Sequence, residues 1–251
     1  MNNLLQSISE NASFLLVCLL IFIGLVLIAR VAERLTHAEL HKPGQSKYIA
    51  FIAMSAALGG VLMYFEIPLF FAPSFYQLDL SEIPVLISSF YLGPVAGVVT
   101  EFLKVLIKLV LKGTSTAFVG DFANFVVGCT FILPATIVYH TRKTRKNAVL
   151  GMAIGTLCMT IFGSFFNAVY LLPKFSQLYG IPLDGIVAMS QEVNPAINSV
   201  SSLVLMAVVP FNLLKGVVVS VVTFVLYKRV EHVLSRLMQP AHPARRSKGA
   251  I

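Results

Sequence analysis

Charge is scarce in this chain. Asp, Glu, Lys and Arg supply 12% of its 251 residues, against about a quarter in a soluble protein. With 57% of the residues hydrophobic, a water-facing surface could not be kept polar, which excludes an ordinary soluble domain. Tryptophan is absent, so any aromatic stacking falls to Tyr or Phe. The three cysteines, Cys18, Cys129 and Cys158, lie inside apolar runs without CxxC spacing and read as buried thiols. The five histidines sit outside the apolar runs or at their ends. With no HExxH or clustered ligand spacing, no metal site is expected. No GxSxG, no Ser-His pair within the spans and no Walker A sequence is present, so an intramembrane hydrolase or a self-contained ATPase finds no support. No strong internal repeat is visible, which weighs against the common two-fold secondary carriers.

The hydrophobic residues come in runs long enough for membrane helices, which need roughly 20 residues. Ser13–Val31 is the first. It has no positive segment before it and no small-residue cleavage site after it, unlike a cleavable signal peptide. Tyr48–Phe65, Ile83–Tyr91, Val95–Leu111, Thr116–Tyr139 and Ala148–Leu172 follow, the second of these being short for a span. A single helix from Ile197 to Tyr227 would be about 46 Å long, too long for one crossing. Proline is tolerated in a first helical turn and not inside a helix, so the last span is expected to start at Pro210. Residues 183–209 then form a partly helical segment outside the membrane.

Most of the 19 Lys and Arg gather in three clusters, Arg30–Lys47, Arg142–Lys146 and Lys228–Lys248, each abutting an apolar run. This is the pattern of cytoplasmic loops, and it also suits contact with anionic lipid headgroups rather than nucleic acid. The N-terminus is therefore expected outside and the C-terminus in the cytoplasm. Glu66, Asp79, Glu82, Asp184 and Glu192 fall on the outer side.

Ionisable side chains within membrane spans are costly and face protein or water. Here they are Glu101, Lys104, Lys108, Asp121 and Lys215. A buried ion pair of Lys104 with Glu101 or Asp121 is one reading, and contact with a ligand is the other. Asn212 and Lys215, at i and i+3, share a helix face. With a helix N-terminus beside them they form a donor-rich patch suited to an uncharged or anionic ligand with carbonyl acceptors. A lysine snorkelling to the interface is the alternative. Asn124, Asn167, Asn194 and Asn198 add amides that would converge on the same outer pocket. Ala53 and Ala57, with Ala56, form a small-residue face that allows another helix to approach closely.

Several segments, taken in order, resemble the riboflavin-binding substrate components of energy-coupling-factor (ECF) vitamin transporters. They are Tyr76–Pro84, Tyr91–Pro94, Lys112–Ala117, Gly120–Asn124, Asn194–Asn198 and Pro210–Gly216. The resemblance covers about residues 48–230. It implies an all-α integral membrane fold, with a six-helix core at 48–230. One extra transmembrane helix and linker precede it (1–47), and a basic cytoplasmic tail follows (231–251). It further implies a bacterial multi-pass membrane protein that is no enzyme and needs no cofactor. Such a protein binds riboflavin near its outer face. It docks through Ala53 and Ala57 on a transmembrane coupling protein that carries two ABC-type ATPases. By the same resemblance Asn212, Lys215 and Asn167 contact the flavin, and Leu78 and Asp79 belong to the loop that closes over it. Two departures stand out: the extra first helix, and Asp121 where the family's motif usually carries Glu. A component for thiamine or pantothenate, or a stand-alone carrier, are the alternatives. A thiamine cation would call for surrounding acids, whereas Lys215 points the other way.

Overall fold

The computed structural model describes residues 2–38, 43–73, 76–114 and 118–237, with side chains described from Leu16 to Tyr227. Ser115–Ala117 of the resembling segments, most of the 231–251 tail and the third basic cluster's side chains lie outside the described residues. Among the described residues the fold is all-α, apart from one antiparallel pair of two-residue strands. Five helical stretches among the described residues are long and apolar enough to cross a membrane: Leu16–Leu35, Gln45–Tyr64, Val119–Thr141, Arg145–Tyr179 and Val200–Tyr227.

Helix α1 (Asn2–Leu35) lies against α4 (Pro94–Lys112) and α5 (Val119–Thr141). Phe22, Leu25, Val26 and Ala29 pack there on Val98, Val105, Phe125 and Leu133. The extra helix is thus a packed part of the body. Helix α2 (Gln45–Tyr64) leads to the antiparallel pair β1 (Ile67–Pro68) and β2 (Gln77–Leu78), which brings residues 79–81 to the start of α3 (Glu82–Leu92). Helix α3 has 11 residues, about 16 Å at 1.5 Å each, so it covers half the hydrocarbon thickness. It is buried on every side, with only Tyr91 partly exposed. Val85, Leu86 and Phe90 meet Phe51, Phe131 and Val219 from the helices around it. Gly93 ends α3 with φ at 106°, a conformation that suits glycine, and Pro94 opens α4 at once.

Helix α6 (Arg145–Phe166) crosses α5 at closely set glycines. A Cβ on Gly151 or Gly155 would lie 2.4 Å from the Ala135 or Phe131 carbonyl oxygen. The helix does not stop at Phe166. A π-helical turn at Asn167–Leu171 carries it into α7 (Leu172–Tyr179). Helix α8 (Leu183–Val193) follows, then α9 (Val200–Leu203), a second π turn at Val204–Val208 and α10 (Val209–Leu237).

The last helix therefore does not begin at Pro210. Pro210 sits inside a continuous helical run of 28 residues from Val200 to Tyr227. Its missing N–H is absorbed by the π turn just before it, where the Val209 N–H bonds to the Val204 carbonyl five residues back. Of the segment 183–209, only α8 and the short link after it stay separate from the last span.

Candidate functional site

A cavity of about 650 Å³ opens among α4, α5, α6, α10 and the segment 76–82. Asp79, Asn124, Asn167, Asn212 and Lys215 all line it. Leu78 does not. It is half-buried in the apolar cluster of Tyr76, Leu172 and Phe211 beside the cavity. Asn194 and Asn198 do not converge on it either. The Asn194 side chain accepts a bond from the Ala196 N–H at 3.1 Å, and Asn198 accepts one from the Ser202 hydroxyl at 3.3 Å. Both shape the turn before the last helix, as Asn commonly does.

The π turns place two of the amides. Asn167 starts the first, and Asn212 follows two residues after Pro210. Asn167 donates to the Gly163 carbonyl at 2.8 Å and accepts from the Tyr76 hydroxyl at 2.8 Å, so its orientation is fixed from both sides. Gly163 also leaves room for Asn212, whose Nδ2 would be 3.0 Å from a Cβ there. The Asn212 Nδ2 and Asn124 Oδ1 atoms are buried with no hydrogen-bond partner among the described residues. Unpaired buried polar atoms cost free energy unless a ligand or water satisfies them.

Lys215 is not a free donor. Its Nζ lies 2.9 Å from Asp79 Oδ2 and 3.0 Å from Glu82 Oε1. Lys104, wholly buried, pairs with Glu101 at 2.7 Å and reaches the same Glu82 Oε1 at 3.4 Å. The Ser81 hydroxyl donates to Asp79, and the Ser81 N–H does so at 2.9 Å. Burial opposes ionisation of Asp79, but Lys215 and Lys104 hold its carboxyl well below the usual carboxylate range. Three carboxylates thus face two ammoniums, and the donor-rich patch expected at Lys215 is offset by acids. Lys108 pairs separately with Asp121 at 2.5 Å and donates to the Gly113 carbonyl at 3.2 Å. Asp121 therefore finds Lys108 rather than Lys104. At the rim, Lys112 pairs with Glu66 and lies 5.8 Å from the Tyr64 ring centroid.

Glu82 and Tyr76 are two of the lining residues that sequence reasoning missed. Glu82 was readable only as an outer loop acid. Glu82 opens α3 while Asp79 lies before its N-cap Ser81, so no helical spacing linked the two acids in the sequence. Ala53 and Ala57 are exposed on α2, in a strip with Met54, Leu58 and Val61, while Ala56 is buried.

The sequence model of the family described as "ECF transporter, substrate-specific component" matches residues 47–227. That match starts after α1. The riboflavin transporter RibU of Staphylococcus aureus (strain TCH60) is 31% identical over 193 residues, 77% of this chain and 95% of that protein. The riboflavin transporter FmnP of Bacillus subtilis (strain 168) is 27% identical over 186 residues, 74% of this chain and 92% of that one. A solved structure described as the S component of a bacterial ECF transporter is similar with a TM-score of 0.62 and 33% identity. It covers 76% of this chain and 99% of its own.

Proposed function

Because the chain belongs to the substrate-specific components of ECF transporters, we propose that it is the riboflavin-binding subunit of such an importer. It captures the vitamin at the outer face and hands it to a transmembrane coupling protein driven by two ABC-type ATPases. The observation that carries the reading is the cavity itself. Its volume of about 650 Å³ lies within the usual 300–1,000 Å³ of ligand sites. Its amides at Asn124 and Asn212 hold buried atoms without partners. Riboflavin brings a carbonyl and imide edge to such amides, and an apolar dimethylbenzene edge to walls such as Leu172 and Phe211. Its ribityl hydroxyls suit the polar mouth near Thr114. Names of the relatives point the same way.

The docking reading rests on Ala53 and Ala57. Their exposed strip of small and apolar side chains suits close approach of a partner helix. The basic clusters favour an outer N-terminus and a cytoplasmic C-terminus. The surplus of one carboxylate around Lys215 is the single observation that favours a cationic vitamin such as thiamine. Titrating the purified chain with riboflavin and with thiamine separates the two. Quenching of flavin fluorescence at a one-to-one ratio, with thiamine unable to compete, is the expected result. Binding of thiamine in preference to riboflavin would overturn the assignment.

A further inference from the structure

Helix α2 touches both halves of the proposed function. One face carries Ala53, Met54 and Ala57, exposed and free for a partner. Another face carries Gly59 and Gly60, which are buried against α4. A Cβ on Gly59 would lie 3.0 and 3.2 Å from Lys104 Cγ and Cδ, and 3.2 Å from the Ser81 carbonyl oxygen. The Lys104 stem therefore rests directly on the α2 backbone. Its head shares a single oxygen with the cavity: Glu82 Oε1 accepts from Lys215 at 3.0 Å and from Lys104 at 3.4 Å. Lys215 and Glu82 line the cavity and Lys104 does not.

We propose that Lys104 is a positioning residue that relays occupancy of the cavity to the docking strip on α2, with Gly59 as the surface it presses on. The inference rests on the reading of the cavity as the vitamin site. A ligand carbonyl that draws the Lys215 ammonium toward itself weakens its hold on Glu82 Oε1. That oxygen then turns to Lys104, whose head moves and whose stem shifts against Gly59. A ligand can bias α2 only through such a difference in contacts between the empty and the filled state. Here the difference is the competition of two ammoniums for one oxygen.

The test uses the full chain in lipid nanodiscs, with Cys18, Cys129 and Cys158 replaced. Spin labels go at Met54→Cys on α2 and Leu157→Cys on α6, both exposed. Flavin fluorescence reports binding in the same samples. Saturating riboflavin is expected to shift the distance distribution between the labels. Two further changes are then made. Gly59→Ala crowds the Lys104 stem by a few tenths of an ångström. Lys104→Met with Glu101→Gln removes one charge of each sign and leaves Glu82 paired with Lys215. In both, the shift should vanish while the dissociation constant stays within about threefold of the parent. A parent that binds riboflavin without any shift overturns the relay alone. So does a shift that survives in both variants. Loss of riboflavin binding in both variants places Gly59 and Lys104 in the binding structure itself and also overturns it. A parent that does not bind riboflavin at all overturns the vitamin reading and the relay together.

Discussion

Replacing Lys215 by methionine keeps most of the side-chain volume and removes an ammonium held between two buried carboxylates, at 2.9 Å from Asp79 and 3.0 Å from Glu82. Glu82 keeps Lys104, and Asp79 keeps the Ser81 hydroxyl and N–H. Asp79 nevertheless loses its countercharge in a place that is 2% exposed. Breaking a buried pair from one side costs about 3–5 kcal/mol. For a chain of this size, 1 kcal/mol moves the melting temperature by about 2–4 °C, so a fall of roughly 6–20 °C is expected. Asp79→Asn in the same chain removes the orphaned charge and should recover most of that loss.

Affinity separates structure from contact. An ammonium has three donors, and the two carboxylates take two of them. If the third meets the flavin, its loss costs about 1.5–3 kcal/mol, or roughly 10- to 150-fold in dissociation constant. Asp79→Asn cannot restore that donor. Thermal unfolding and flavin-fluorescence titration are therefore measured on Lys215→Met and on Lys215→Met/Asp79→Asn. The expected outcome is a double variant with recovered stability and still-weakened binding. A single variant with the parent's dissociation constant would remove Lys215 from the site. A double variant that regains both would show that Lys215 acts only by neutralising Asp79.

Bulky residues at the docking strip, as in Ala53→Phe/Ala57→Phe, should leave riboflavin binding intact and abolish uptake in cells; survival of uptake places the interface elsewhere. Thr141→Cys in a cysteine-free chain should resist a membrane-impermeant reagent added outside intact cells, and ready labelling would reverse the orientation. Tyr76→Phe removes the hydroxyl that donates to Asn167 at 2.8 Å. A net hydrogen bond is worth about 1 kcal/mol, so titration should find binding about fivefold weaker, and unchanged binding would mean that Asn167 is oriented without it.

The membrane class and the existence of the apolar runs were legible, though not where the last span begins, because burial in lipid leaves a compositional mark residue by residue. Pairings across the fold leave none. Lys104 with Glu101 could be read, since i and i+3 on a helix meet whatever the tertiary structure. Lys215 with Asp79 could not, because 136 positions separate them. Separation along the chain likewise hid Glu82, whose carboxylate serves two lysines from two different helices, one of them 22 positions away. An isolated lysine in an apolar run looks like a donor awaiting a ligand. Only the fold reveals that Asp79 and Glu82 already neutralise it, and that the argument from charge against a cationic vitamin is weaker than Lys215 alone suggests.

The two prolines show where a local rule met its limit. Pro210 was expected to open the last span, because proline in a helix interior removes a bond and crowds the carbonyl four residues back, and the span expected at Ala148–Leu172 stopped just short of Pro173. In both places the helix runs through. The π turn at Asn167–Leu171 ends two residues before Pro173, and that at Val204–Val208 ends two residues before Pro210. In each, a later N–H reaches five residues back, Leu172 to the Asn167 carbonyl and Val209 to the Val204 carbonyl. A membrane helix has no water to satisfy a freed backbone group, so it adjusts its winding instead of stopping. The adjustment widens one turn, and widened turns recur at functional sites. Here the two turns are in contact with each other beside the cavity. One carries Asn167, and the other stands just before Asn212, the two amides on facing helices that share Gly163. Pro173 and the proline that obscured the start of the last span thus each follow a widened turn beside the cavity.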